Sequence, residues 1–108
     1  MENKIYYDQK KTKPVKDYKI NSDGHLVIQS KTWYVYGGTK VAAYGDSTVN
    51  AYDNSTVFAY ANSKVYAYDN STVKAKGNAT VYVYDNSTGH ATGNVTIYTD
   101  HGPTIQRL

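Results

Sequence analysis

Residues Val49–Thr72 read VNAYDNST, VFAYANSK, VYAYDNST, one eight-residue unit in three consecutive copies. The first half of the unit, V-x-A-Y, alternates as a strand does, so Val at position one and Ala at position three share a face. Position two and the Tyr at position four point the other way. The second half, D-N-S-T, is turn chemistry, because Asx side chains tolerate left-handed backbone and bond locally. A strict short repeat of this composition predicts a β-solenoid, a chain wound into stacked coils.

The unit continues in both directions. Further copies begin at Trp33, Val41, Val73, Val81, Gly89 and Ile97, and Ile105–Leu108 is half a copy. His25–Thr32 reads as a degenerate first copy that carries the large aliphatics Leu26, Val27 and Ile28. Position three is Ala or Val as far as Ala91, which fits a small inward side chain. Position two changes freely (Tyr34, Ala42, Asn50, Phe58, Lys74, His90), which marks it as outward.

Position five sets the size of the coil. From Gly45 onward it alternates between a small residue and Asp, giving Asp53, Asp69 and Asp85, so the structural repeat is sixteen residues, two units per coil. The 24-residue spacing of Lys40 and Lys64 would suit three units per coil and is the weaker signal. The expected architecture is all-β, a two-faced parallel β-helix of about five coils at ~4.8 Å strand spacing.

This count places Tyr34, Tyr36, Tyr52, Tyr66, Tyr68, Tyr82, Tyr84 and Tyr98 on one side, with Tyr44 and Tyr60 opposite. Inside, Val41, Val57 and Val73 would stack in one column and Val49, Val65 and Val81 in another, each contributing roughly 1.5–3 kcal/mol. The Asn at position six (Asn54, Asn62, Asn70, Asn78, Asn86, Asn94) recurs in the six consecutive copies that begin at Val49 through Gly89 and predicts an amide ladder from coil to coil. Asp53, Asp69 and Asp85 would stack along one edge, which calls for solvent exposure or bound cations.

Residues 1–32 are expected to form a basic N-terminal segment and cap, and 33–108 the repeat domain. Residues 1–24 are polar, with short strand character at Ile5–Tyr7 and Val15–Ile20, and would cover the first coil. Seven Lys fall in residues 1–32 against four acidic residues, whereas the remainder balances to neutral, so attraction to a polyanion belongs to the N-terminus. Lys10, Lys11, Lys13 and Lys16 are the candidate nucleic-acid contacts there. The C-terminal copies show no evident cap. Either the last half-copy folds back over the final coil, or two molecules stack end to end, and a homodimer through that end or the Tyr face is the expectation.

The 108 residues contain no Cys, which removes disulfides and thiolate metal sites. The N-terminus has no apolar signal core and no run approaches a membrane span, so the expected location is cytoplasmic, with no membrane partner. His25, His90 and His101 fall in different copies and form no ligand pattern. The register of eight, without paired glycines, separates the Asp column from calcium-binding nonapeptide repeats. No nucleophile, acid–base pair or metal cluster stands out, so neither an enzyme nor a cofactor is expected.

The V-x-A-Y-[DG]-N-S-T array over about residues 33–104 resembles a loose class of bacterial and phage octapeptide-repeat proteins. In general form it is similar to bactofilin-like and pentapeptide-repeat solenoids. The resemblance implies a right-handed β-helix and no activity of its own. The functional expectation is a non-catalytic module that binds a protein through the eight tyrosines, such as a phage-type inhibitor of a host defence or nuclease complex. The alternatives are a self-assembling structural module and a nucleic-acid binder that uses the Lys-rich N-terminus.

Overall fold

The computed structural model describes residues 4–6, 19–22, 24–29, 31–99 and 104–107. Thirteen strands lie in this part: β1 (Lys4–Tyr6), β2 (Lys19–Ile20), β3 (Leu26–Ile28), β4 (Thr32–Tyr36), β5 (Lys40–Ala43), β6 (Thr48–Ala51), β7 (Thr56–Ala59), β8 (Lys64–Ala67), β9 (Thr72–Ala75), β10 (Thr80–Val83), β11 (Thr88–Ala91), β12 (Thr96–Thr99) and β13 (Thr104–Arg107). They form a six-stranded sheet in the order β1-β4-β6-β8-β10-β12 and a seven-stranded sheet in the order β13-β11-β9-β7-β5-β3-β2. Successive repeat strands alternate between the sheets, so two units complete one coil of a β-solenoid, with about five turns in all.

The register is that of a sixteen-residue coil. Val49 pairs in parallel with Val65, and Val65 with Val81, in one sheet. Val41 pairs with Val57, and Val57 with Val73, in the other. These valines are buried, as are Ala43, Ala51, Ala59, Ala67 and Ala75 between them. Small inward side chains let the two sheets close on a thin core of Val and Ala.

At the N-terminal end the core changes character. Ile5, Leu26, Ile28, Trp33 and Val35 join the cluster as larger side chains. β1 pairs antiparallel with β4 and β2 antiparallel with β3, so each sheet's first repeat strand is covered by a strand of opposite direction. Such pairing occupies backbone groups that would otherwise template another chain.

β3 enters one residue out of the predicted frame. Leu26 pairs with Val41 and Ile28 with Ala43, so Leu26, not His25, holds position one. The reason is side-chain alternation: Leu26 and Ile28 are buried and Val27 is half-buried facing outward. At the other end, β13 runs parallel to β11 and continues the winding instead of folding back over the last coil.

The turns hold two features that the sequence reading did not anticipate. Ser47, Ser55, Ser63 and Ser71 at position seven are fully buried rather than solvent-facing turn residues. Each hydroxyl donates to the carbonyl of the Tyr three residues earlier, at 2.8–2.9 Å, which removes the cost of burying it.

The predicted Asn ladder is overturned. The position-six asparagines are exposed, and it is position five that ties the coils together. Asp53 Oδ2 accepts the Gly37 N–H at 2.9 Å, Asp69 Oδ2 accepts the Asp53 N–H at 2.9 Å, and Asp85 Oδ2 accepts the Asp69 N–H at 3.0 Å. The carboxylates thus cap backbone donors of the preceding coil. Position five has positive φ (61° at Asp53, 59° at Asp69, 56° at Asp85), and Asp suits it because its short polar side chain tolerates the left-handed region.

Candidate functional site

Each strand of the six-stranded sheet sends its position-two side chain outward, and the register stacks these from coil to coil. Tyr34 lies opposite Asn50, Asn50 opposite Tyr66, Tyr66 opposite Tyr82 and Tyr82 opposite Tyr98. The Tyr66 and Tyr82 rings stack at 4.5 Å and 5°, and those of Tyr82 and Tyr98 at 5.0 Å and 14°. A second column stands at the strand ends: Tyr36–Tyr52 at 4.8 Å, Tyr52–Tyr68 at 5.1 Å and Tyr68–Tyr84 at 5.2 Å. The separations match the strand spacing, so the backbone ladder itself sets the ring stacking.

All eight tyrosines singled out from the sequence therefore share one side of the coil. Asn50 interrupts the first column, whereas the second is unbroken from Tyr36 to Tyr84. Tyr6 joins them without any repeat signal: β1 lays it edge-on to Tyr36, with centroids 5.7 Å apart and planes at 69°. Most of these rings are half-buried, and Tyr98 is 53% exposed at the last coil.

Packing changes their acidity. The Tyr52 hydroxyl is pushed up to about 12, first by burial and then by Tyr36, Tyr68, Tyr34 and the Asp69 carboxylate. Tyr68 is raised for the same reasons, burial first and then Tyr84, Tyr66 and Asp85. Tyr52 and Tyr68, at the centre of the column, are thereby held neutral at physiological pH and offer apolar ring edges and hydroxyl donors together.

The seven-stranded sheet carries a different set. Position two runs Ala42, Phe58, Lys74, His90, and the strand ends run Tyr44, Tyr60, Lys76, Thr92. His25 stacks on Phe58 at 4.5 Å and 12°, filling space beside the small Ala42, and Lys74 Nζ stands 5.5 Å from the centre of the Phe58 ring. Tyr44 and Tyr60 stack at 4.9 Å. A depression of about 450 Å³ opens beyond them, lined in part by Phe58, Tyr60, Lys74, Lys76 and His90. The sixteen-residue period puts the Phe, Lys and His on one side, but the sequence holds no signal for the concavity, because it depends on where large side chains stop.

The structure places His25 and His90 on this sheet, and His101 lies outside the described residues. Among the described residues no three His, Cys, Asp or Glu side chains are gathered to hold a metal ion. Lys10, Lys11, Lys13 and Lys16 also lie outside the described residues. No helix among the described residues is long and apolar enough to cross a membrane. Comparison with protein-family models, with curated proteins and with solved structures finds no match to this chain, so its functional reading rests on its own residues.

Proposed function

We propose that the chain is a non-catalytic binding module that receives a protein partner on its tyrosine side. The observation that carries this reading is the pair of parallel ring columns, Tyr66–Tyr82–Tyr98 and Tyr36–Tyr52–Tyr68–Tyr84, ordered by the backbone before any partner arrives. Tyr offers a large contact area with few rotatable bonds and a hydroxyl at its rim, so little entropy is lost on docking. A rigid surface of this kind occludes its target without transforming it, which suits an inhibitor of a defence or nuclease complex. The test is affinity capture from lysate of the source cells or their host, using the native chain and a Tyr66→Ser/Tyr82→Ser variant with unchanged circular dichroism. A partner held by the native chain and lost by the variant supports the reading. Equal capture by both contradicts it.

A second reading has its own observation. β12 and β13 end their sheets among the described residues, and β12 carries the half-buried Ile97 and the exposed Tyr98. Pairing through such an end would give a homodimer or a growing stack. Light scattering across a concentration series separates the two: a mass fixed at two copies indicates the dimer, and open-ended growth indicates a structural module.

A further inference from the structure

The two strand-end columns are built differently. On the tyrosine side the column runs Tyr36, Tyr52, Tyr68, Tyr84. On the other side Tyr44 and Tyr60 are followed by Lys76 and then Thr92. Aromatic volume therefore stops after the second rung, and the depression of about 450 Å³ lies where it stops. Its walls are of two kinds. Phe58 and Tyr60 supply ring surface, while Lys74, Lys76, His90 and Thr92 supply cationic or hydrogen-bonding groups. Among the described residues no carboxylate lines it, and Asp53, Asp69 and Asp85 follow the strands of the opposite sheet.

We propose that this depression binds one nucleotide unit, a planar base carrying a phosphate, with the base against the Tyr60 ring and the edge of Phe58 and the phosphate between Lys74 and Lys76. The volume is within the range of small-ligand sites, roughly 300–1,000 Å³, and admits a ligand of that size. The side chains meet two requirements of such a ligand. A base stacks on an aromatic wall whatever its sequence identity, and a phosphate is held by lysine ammonium groups that meet no competing carboxylate among the described lining residues. Lys74 already stands over the Phe58 ring, so its charge lies where ring and anion would meet. The positions are sixteen residues apart in register (Phe58 opposite Lys74, Lys74 opposite His90), so the backbone fixes their spacing without help from the ligand.

This site is on the opposite sheet from the tyrosine columns and does not depend on the partner-binding reading. The test is isothermal titration of the full chain with adenosine 5′-monophosphate at low salt. Parallel titrations use adenosine and inorganic phosphate alone. The decisive variant is Lys76→Tyr, which continues the Tyr44–Tyr60 column and fills the depression while keeping the fold. Lys64→Ala, on the other sheet, is the control. The expected result is saturable 1:1 binding of the monophosphate, at least about tenfold tighter than adenosine or phosphate, and weakened by ~0.5 M salt. Lys76→Tyr abolishes it with an unchanged or raised melting temperature, and Lys64→Ala leaves it within about twofold. Displacement by an oligodeoxyadenylate would assign the site to single-stranded nucleic acid, and failure to displace would assign it to the free nucleotide. No binding by the native chain, or equal binding by Lys76→Tyr, overturns the proposal.

Discussion

Ala61 occupies a position-five conformation that the other copies from Gly37 to Gly93 give to Gly or Asp. Its φ is 56°, in the left-handed region, where an Ala pays roughly 1–2 kcal/mol. Ala61→Gly removes that strain but loosens the unfolded chain, so stabilisation of up to about 1 kcal/mol is expected in urea unfolding. Gly45→Ala is the opposite case. At φ +63° a Cβ would stand 2.6 Å from the Gln29 carbonyl oxygen, so a loss of about 2 kcal/mol or more is expected from the same measurement. The residue scale also sets the alkaline limit. The Tyr52 hydroxyl has a folded pKa of about 12 against 10.0 when free, so folding favours its neutral form. That contribution is complete below about pH 10 and is lost as pH rises through about 12. Tyrosinate absorbance followed with circular dichroism from about pH 9 to 13 should show a late-ionising fraction whose titration accompanies loss of the sheet. Ionisation of every tyrosine near pH 10 with the fold intact would contradict the packed column.

Between strands, the array compensates for its own departures. β10 has Val83 where β8, the strand before it in the sheet, has Ala67, and β11 has Gly89 where β9 has Val73. A Cβ at Gly89 would lie 3.5 Å from Val83 Cγ2, so the larger side chain occupies the volume that the missing one leaves. Gly89→Val alone overpacks the core and Val83→Ala alone opens it, each costing on the order of 1–3 kcal/mol. The double variant should be less destabilised than the sum by about 1 kcal/mol or more in a double-mutant cycle. Strict additivity would mean that the two sites do not touch. Much at this scale was legible beforehand, because period-two alternation within V-x-A-Y dictates which side chains face in. The inward Ser at position seven was not, since Ser in a D-N-S-T run reads as an exposed turn residue. Its burial becomes reasonable only once the Tyr carbonyl three residues back is seen to accept its hydroxyl. The exchange of the Asn ladder for an Asp ladder has a similar cause. A repeated Asn and a repeated Asp at adjacent turn positions carry equal signal in the sequence, and only the positive φ at position five aims the carboxylate at the coil above.

Across the molecule, coils touch chiefly their neighbours, so stability accumulates along the stack and the ends need their own solution. The N-terminal end has one in β1, β2 and a core of Ile5, Leu26, Ile28 and Trp33. The antiparallel direction of those strands and the one-residue shift at Leu26 lie outside the repeat, and no periodicity announces them. The sixteen-residue coil, by contrast, was present in the alternation of Asp and small residues at position five. It underlies every site described above, since the tyrosine columns and the nucleotide depression both exist only if residues sixteen apart are neighbours. The most direct test is a long-range HNCO experiment that detects scalar coupling across backbone hydrogen bonds. Cross-peaks are expected from the amide nitrogen of Tyr52 to the carbonyl carbon of Val35, from Tyr68 to Ala51 and from Tyr84 to Ala67, every one seventeen residues back. Couplings at a spacing of nine or twenty-five residues, or in the paired pattern of antiparallel strands, would contradict the two-unit coil.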